Sequence, residues 1–157
     1  MATRSFKSVG DRVSDRKFNK SFDPVPFGIK TPVRLGTGRS GIFDMNFSLI
    51  SQVQDNLKNL LLTNHGERLG QYEFGANLRE LTTERLSHDD FDNEAMLRIR
   101  SAVKKYMPYL NLDSFESSFN DPPDTDSIAQ VSIKIFYSIP KLQVQNKGIE
   151  VILYCIG

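Results

Sequence analysis

The stretch "FDNEAMLRIRSAVKKYMPYLNLDSFESSF", residues 91–119, carries two different periods, and the change between them decides the fold. In the first half, Phe91, Ala95, Ile99, Ala102, Val103 and Tyr106 recur at intervals that place them on one face of an α-helix. Pro108 stops that helix, since its ring fixes φ, removes a donor and pushes the preceding residue out of the helical region. Beyond it the period falls to two, and residues 110–119 ("LNLDSFESSF") are expected to form a strand.

The segments on either side extend the pattern. Upstream, "SHDD" (Ser87–Asp90) is a capping box, with the Ser87 hydroxyl and the Asp90 carboxylate set to satisfy free N–H groups at the helix start. A first helix is expected from about Ser48 to Asn64, with Ile50, Val53, Leu57, Leu60 and Leu61 on its inner face. Asn64, His65 and Gly66 are expected to close it, Gly66 in the left-handed position after the helix. A short helix is expected near Asn77–Leu81. Downstream, "DPPDTD" (121–126) signals a turn. "AQVSIKIFYSI" (129–139) then alternates Val131, Ile133, Ile135, Tyr137 and Ile139 against Gln130, Ser132, Lys134 and Ser138. A last strand, "IEVILYCI" (149–156), is apolar on both faces. Helices before strands predict an α+β fold: two main helices and a short one on a small antiparallel sheet of three to four strands.

The chain has 157 residues, 39% of them hydrophobic, which suits one modest core and a tail. A net charge of +1 hides a division: residues 1–40 carry nine Lys/Arg and three Asp, the remainder 11 Lys/Arg and 16 Asp/Glu. Residues 1–44 read as an extended basic arm and 45–157 as the folded domain. The arm holds Phe6, Phe18, Phe22, Phe27 and Phe43 among prolines and glycines without a lasting period, so it is expected to order only against a partner. Cys155 is the single cysteine, which excludes an internal disulfide and implies a reducing compartment. No apolar run approaches the roughly 18 residues of a membrane span. The N-terminus lacks the apolar core of a secretion leader, so none is expected.

Chemistry-bearing motifs are sparse. "GTGRSG" (Gly36–Gly41) matches a dinucleotide-binding fingerprint, but that fingerprint needs a strand before it and a βαβ unit around it, and neither is expected here. Glu67 and Glu73 could be read as a glycosidase pair. Such a pair faces across a cleft with one pKa raised, whereas neighbouring Arg68 would lower a glutamate pKa. His65 and His88 lack ligand spacing, so neither a metal site nor a catalytic residue nor a cofactor is expected. His65 fits the end of the first helix, His88 the cap, and Cys155 a packed strand thiol. The basic arm with its phenylalanines keeps nucleic-acid binding open as an alternative, although the folded part is net acidic.

The segment "NLKNLLLTNHGERLGQYEFGANLRELTTERL" (56–86) resembles the baseplate wedge proteins of contractile-tailed phages that initiate the tail sheath. Related subunits occur in type VI secretion baseplates. The residues that carry the resemblance are Leu61, Leu62, Thr63, Gly66, Arg68, Glu73, Phe74, Gly75 and Leu78. The helix "AMLRIRSAVKKYMPYL" and the terminal hairpin also correspond, so the likeness spans about 45–157. One departure is clear: where the family carries Glu-Pro-Arg, this chain has Met107-Pro108-Tyr109.

The resemblance implies a structural protein of the virion tail baseplate, assembled in the host cytoplasm. It would join the wedge and nucleate the sheath by strand exchange with the first sheath ring. Its partners would be the tail sheath protein and other wedge subunits, with the arm reaching the tail tube or hub. Wedge contacts are expected at Gly66, Glu67, Arg68, Glu73, Phe74 and Gly75, and at Met107, Pro108 and Tyr109, where the lost charges suggest an apolar contact. Arg68 is expected to fork hydrogen bonds to Glu67, Glu73 or the backbone. The sheath-binding strand would be Ile149, Val151, Ile152, Leu153, Tyr154 and Ile156, exposed at an edge or buried at the sheet centre. A lysozyme label has been attached to the family, which makes a cell-wall hydrolase the other alternative.

Overall fold

A computed structural model describes residues 25–36, 42–84, 88–120 and 129–155. Its elements, in chain order, are β1 (Gly28–Ile29), β2 (Met45–Asn46), α1 (Leu49–Leu62), α2 (Leu78–Leu81), α3 (His88–Tyr106), β3 (Asn111–Asn120), β4 (Ala129–Ile139) and β5 (Val144–Cys155). The fold is α+β, with an antiparallel sheet in the order β3-β4-β5 and a separate two-stranded pair, β1-β2.

The helix faces read from spacing are the buried ones. Val53, Leu57, Leu60 and Leu61 of α1 and Phe91, Ala95, Ile99, Ala102 and Val103 of α3 meet the alternating face of β4 in one core. Val131, Ile133, Ile135, Tyr137 and Ile139 are all buried there, while Lys134 is exposed on the opposite face. The register pairs Ile133 with both Ser117 and Val151, and Val131, Ile135 and Tyr137 likewise lie between two strands. Helix α1 packs against β5 and α3 against β3, with α2 bridging the two helices.

Strand β5 begins earlier than expected, at Val144, and sits at the sheet edge. Ile149, Val151 and Leu153 face the core, while Ile152 and Tyr154 remain 46% and 57% exposed. The choice between a central and an edge strand thus falls on the edge, because β4 takes the centre.

Two short strands were not expected. Residues 27–36 and 42–46 pair back on one another, with Gly28 opposite Asn46 and an isolated bridge between Leu35 and Phe43. This hairpin is tied to α1 by Asp55, whose Oδ2 accepts from the Thr31 N–H at 3.0 Å and from Asn46 Nδ2 at 2.7 Å. Two-residue strands carry no readable period, so only the tertiary bonds reveal them. Outside the described residues lie most of the arm, "GTGRSG" after Gly36, the Ser87 cap, the "DPPDTD" turn, Ile156 and the Cys155 side chain.

Candidate functional site

The joint between α1 and α2, residues 63–77, is built on backbone hydrogen bonds. Helix α1 ends at Leu62, with Thr63 in extended conformation at its cap. The expected role of Gly66 and His65 at the helix end is therefore corrected, since both lie in the loop beyond it. Gly66 does take positive φ, at 86°, but in a turn that its N–H closes onto the Tyr72 carbonyl at 2.8 Å.

The incoming chain then lies across the end of α1. The Ala76 N–H reaches the Leu60 carbonyl at 3.0 Å, satisfying one of the acceptors that a helix end leaves free. Gly75 makes that approach possible. Its φ is 119°, and a Cβ built there would stand 2.1 Å from the Thr63 carbonyl oxygen. Asn77, in the left-handed region at φ 51°, accepts the His65 N–H on its Oδ1 and donates to Glu80. Asn64 mirrors it, accepting from the Arg79 N–H at 3.3 Å and donating to Glu67 at 2.8 Å.

Helix α3 holds the other side. Tyr106 donates to the Glu73 carbonyl at 2.9 Å, and its ring meets Phe74 edge-on at 4.9 Å. Lys105 pairs with the Glu73 carboxylate. Arg98 donates to the Asn77 carbonyl at 3.0 Å and to Glu80 and Glu94 at 2.9 Å each, with Glu84 at 3.9 Å. Arg98, Lys105 and Asn77 were missed in the sequence, and Asn64 was read only as part of the helix end. Arg98 and Lys105 meet the joint across 18 or more positions, and no local pattern signals that.

The two glutamates and the arginine do not meet as expected. Both Glu67 oxygens accept from Asn64, one from its backbone N–H and one from its side chain, and these bonds hold the Glu67 pKa below the usual carboxylate value. The hydrogen bond from Lys105 does the same for Glu73. Arg68 instead lays its guanidinium over the Phe74 ring, 4.3 Å from the centroid. Among the described residues no carboxylate or carbonyl accepts from it, so the expected forked bonds are replaced by a cation–π contact.

A groove of about 660 Å³ lies between α1 and the end of α3. It gathers Glu67, Arg68 and Phe74 from the joint and Met107 and Tyr109 from beyond α3, two groups far apart in sequence. Met107 is only 4% exposed and contributes to the floor, because it turns into the core with Leu110. An exposed contact at Met107 is therefore corrected; Pro108 and Tyr109 are the surface residues of that triplet. Glu73 and Gly75 open on a separate hollow with His65 and Lys105. A third hollow, about 300 Å³, runs from Leu62 and Glu67 to Ile152 and Tyr154 beside β5. No cluster of metal-ligating side chains occurs among the described residues. No helix of the described residues is long and apolar enough to cross a membrane.

A braced joint, a groove holding Arg68 and Phe74, and a strand edge left unpaired among the described residues belong to one small α+β module. The chain belongs to the family described as baseplate wedge protein gp25, which its residues 48–142 match. That family is structural, and membership makes the chain a component of a phage or phage-like tail baseplate, assembled with other baseplate subunits. Among solved structures, the fold is similar to a chain of the sixfold-symmetrised cryo-electron-microscopy baseplate of the anti-feeding prophage. The TM-score is 0.57 at 15% identity, over 71% of this chain and 82% of that one. It is also similar to a candidate tail lysozyme from Geobacter sulfurreducens, at TM-score 0.51 and 17% identity over 68% and 89% of the two chains. At these identities the likeness concerns the fold alone. Among curated proteins, none matches the chain.

Proposed function

We propose that the chain is a non-enzymatic joint of a contractile-tail baseplate, tying wedge subunits together and starting the sheath by strand exchange with its first ring. The observation that carries this reading is β5, an edge strand paired on one side with β4 and presenting Ile152 and Tyr154 outward. An added strand gains main-chain hydrogen bonds at such an edge, and the alternating side chains fix its register. The partner on that edge is the tail sheath protein. Wedge subunits dock on the joint and groove, at Gly66, Glu67, Arg68, Glu73, Phe74, Pro108 and Tyr109. The N-terminal arm, residues 1–44, reaches the tube or hub from a base that Asp55 fastens to α1 at Thr31. The protein works in the virion tail after assembly in the host cytoplasm.

Particles assembled without the chain are the test. Electron micrographs should show tubes on baseplates without sheath, restored by the natural protein but not by Ile152→Lys with Tyr154→Lys. Sheath of normal length on particles lacking the chain would refute the reading.

Two other readings fare less well. A cell-wall hydrolase needs one carboxyl with a raised pKa, and Glu67 and Glu73 are both lowered by their hydrogen bonds. Peptidoglycan cleavage abolished by Glu67→Gln would reinstate it. Nucleic-acid binding would rest on the basic arm, and a salt-sensitive DNA shift lost on deleting residues 1–40 would favour it.

A further inference from the structure

We propose that the groove between α1 and the end of α3 takes a carboxylate side chain of a neighbouring baseplate subunit, an Asp or Glu flanked by apolar residues, which forks onto Arg68. This rests on the wedge reading above and names the chemistry of the contact.

The groove gathers the donors Asn56, Asn59, Arg68 and Tyr109, and the one carboxylate among its described lining residues, Glu67, has both oxygens accepting from Asn64. The Arg68 guanidinium lies over the Phe74 ring, 4.3 Å from its centroid, and has no hydrogen-bonding acceptor among the described residues. Its sequence neighbours do not neutralise it at close range: Glu67 directs both oxygens to Asn64, and Glu73 faces Lys105 on the other side of the loop. Asn56 accepts from Gln52 Nε2 on its side-chain Oδ1 at 2.9 Å, and among the described residues neither its amide N–H groups nor the Asn59 side chain has a hydrogen-bond partner. Burial raises the Tyr109 pKa, so its hydroxyl stays protonated as a further donor. A planar fork pre-set on an aromatic face matches a carboxylate in two parallel hydrogen bonds. Stacking has already restricted the arginine, so less ordering remains for binding.

The walls decide between classes of partner. Leu60, Phe74 and Met107 line the same groove, and Arg68 is the single cation among its described lining residues. A nucleic-acid backbone calls for a row of cations. One arginine above an apolar floor suits an acidic side chain with an aliphatic or aromatic neighbour.

The test places p-benzoylphenylalanine at Asn59 of the full chain, assembles baseplates with all other subunits, and irradiates them. Mass spectrometry should identify one cross-linked peptide, with an Asp or Glu beside an apolar residue. Arg68→Glu should lower its yield at least about tenfold, and reversing the charge of the partner acid should restore it. The melting midpoint of Arg68→Glu alone separates this from misfolding. A cross-linked peptide without an acid, a cross-link to DNA, or a full yield with Arg68→Glu would overturn the inference and leave the wedge reading standing. Baseplates that contain the chain but give no cross-link would do the same. Baseplates that never incorporate the chain would overturn both.

Discussion

At the scale of single residues, Gly75 is the position with least freedom. Its backbone is left-handed and its missing side chain is the reason α1 and the incoming loop can touch, with 2.1 Å between a hypothetical Cβ and the Thr63 oxygen. Gly75→Ala combines φ strain with a backbone clash that only separation of the two segments can relieve. The expected loss is about 3 kcal/mol, measured by urea unfolding of the full chain. A loss below about 0.5 kcal/mol would mean that the loop sits elsewhere. The glycine itself was legible in the sequence, since "FGANL" places it before a short helix. Its true neighbour was not, because the close approach spans twelve positions. Arg68 shows the same boundary. Its membership of the joint was readable, but its two candidate carboxylates were engaged elsewhere, by Asn64 and Lys105. Which of several adjacent charges pair is decided by side-chain direction in three dimensions.

At the scale of elements, long periodic segments were read well and short ones were not. Helices α1 and α3 and strand β4 each repeat an apolar face over many residues, and tertiary packing agreed with local pattern. The β1-β2 pair has two residues per strand and depends on Asp55, so nothing local could reveal it. The joint depends on ionised side chains to a degree that its sequence understated. Glu73 and Glu67 both have pKa values lowered in the folded state, by Lys105 and by Asn64. A depressed carboxylate stabilises the fold fully above its unfolded pKa, and that contribution is lost as pH falls through the lower folded value. Acidification from about pH 6 to pH 3 should therefore loosen the joint while the core still holds. Amide hydrogen exchange at the Gly66, Ala76 and Asn77 N–H groups should rise in that window, ahead of exchange in β4. Lys105→Met should leave the Glu73 share of this pH dependence absent. Joint and sheet amides that opened together at every pH would contradict this account.

At the scale of the whole molecule, the helices and the sheet share one core, yet among the described residues no strand pairs with the outer side of β5. Val151 and Leu153 anchor that strand inward, and Ile152 and Tyr154 stand outward beside exposed Leu62. The apolar character of "VILY" on both faces was plain in the sequence, but not whether a neighbouring strand of the same chain would cover it. That depended on which strand took the sheet centre, a matter of topology. Natural edges usually carry a charge or a proline that blocks pairing with another chain, and the outward residues 152 and 154 carry neither. The free chain should therefore self-associate as its concentration rises, two β5 edges standing in for the absent partner. Sedimentation velocity over a concentration series should show a growing dimer population. Ile152→Lys with Tyr154→Lys should keep the chain monomeric, because each incoming strand would meet two lysines and strip their water. Both side chains are roughly half exposed, so the double variant should melt within about 4 °C of the natural chain. Unchanged self-association in a variant that melts normally would show that β5 is not the adhesive edge, and would turn attention to β3 on the opposite side of the sheet.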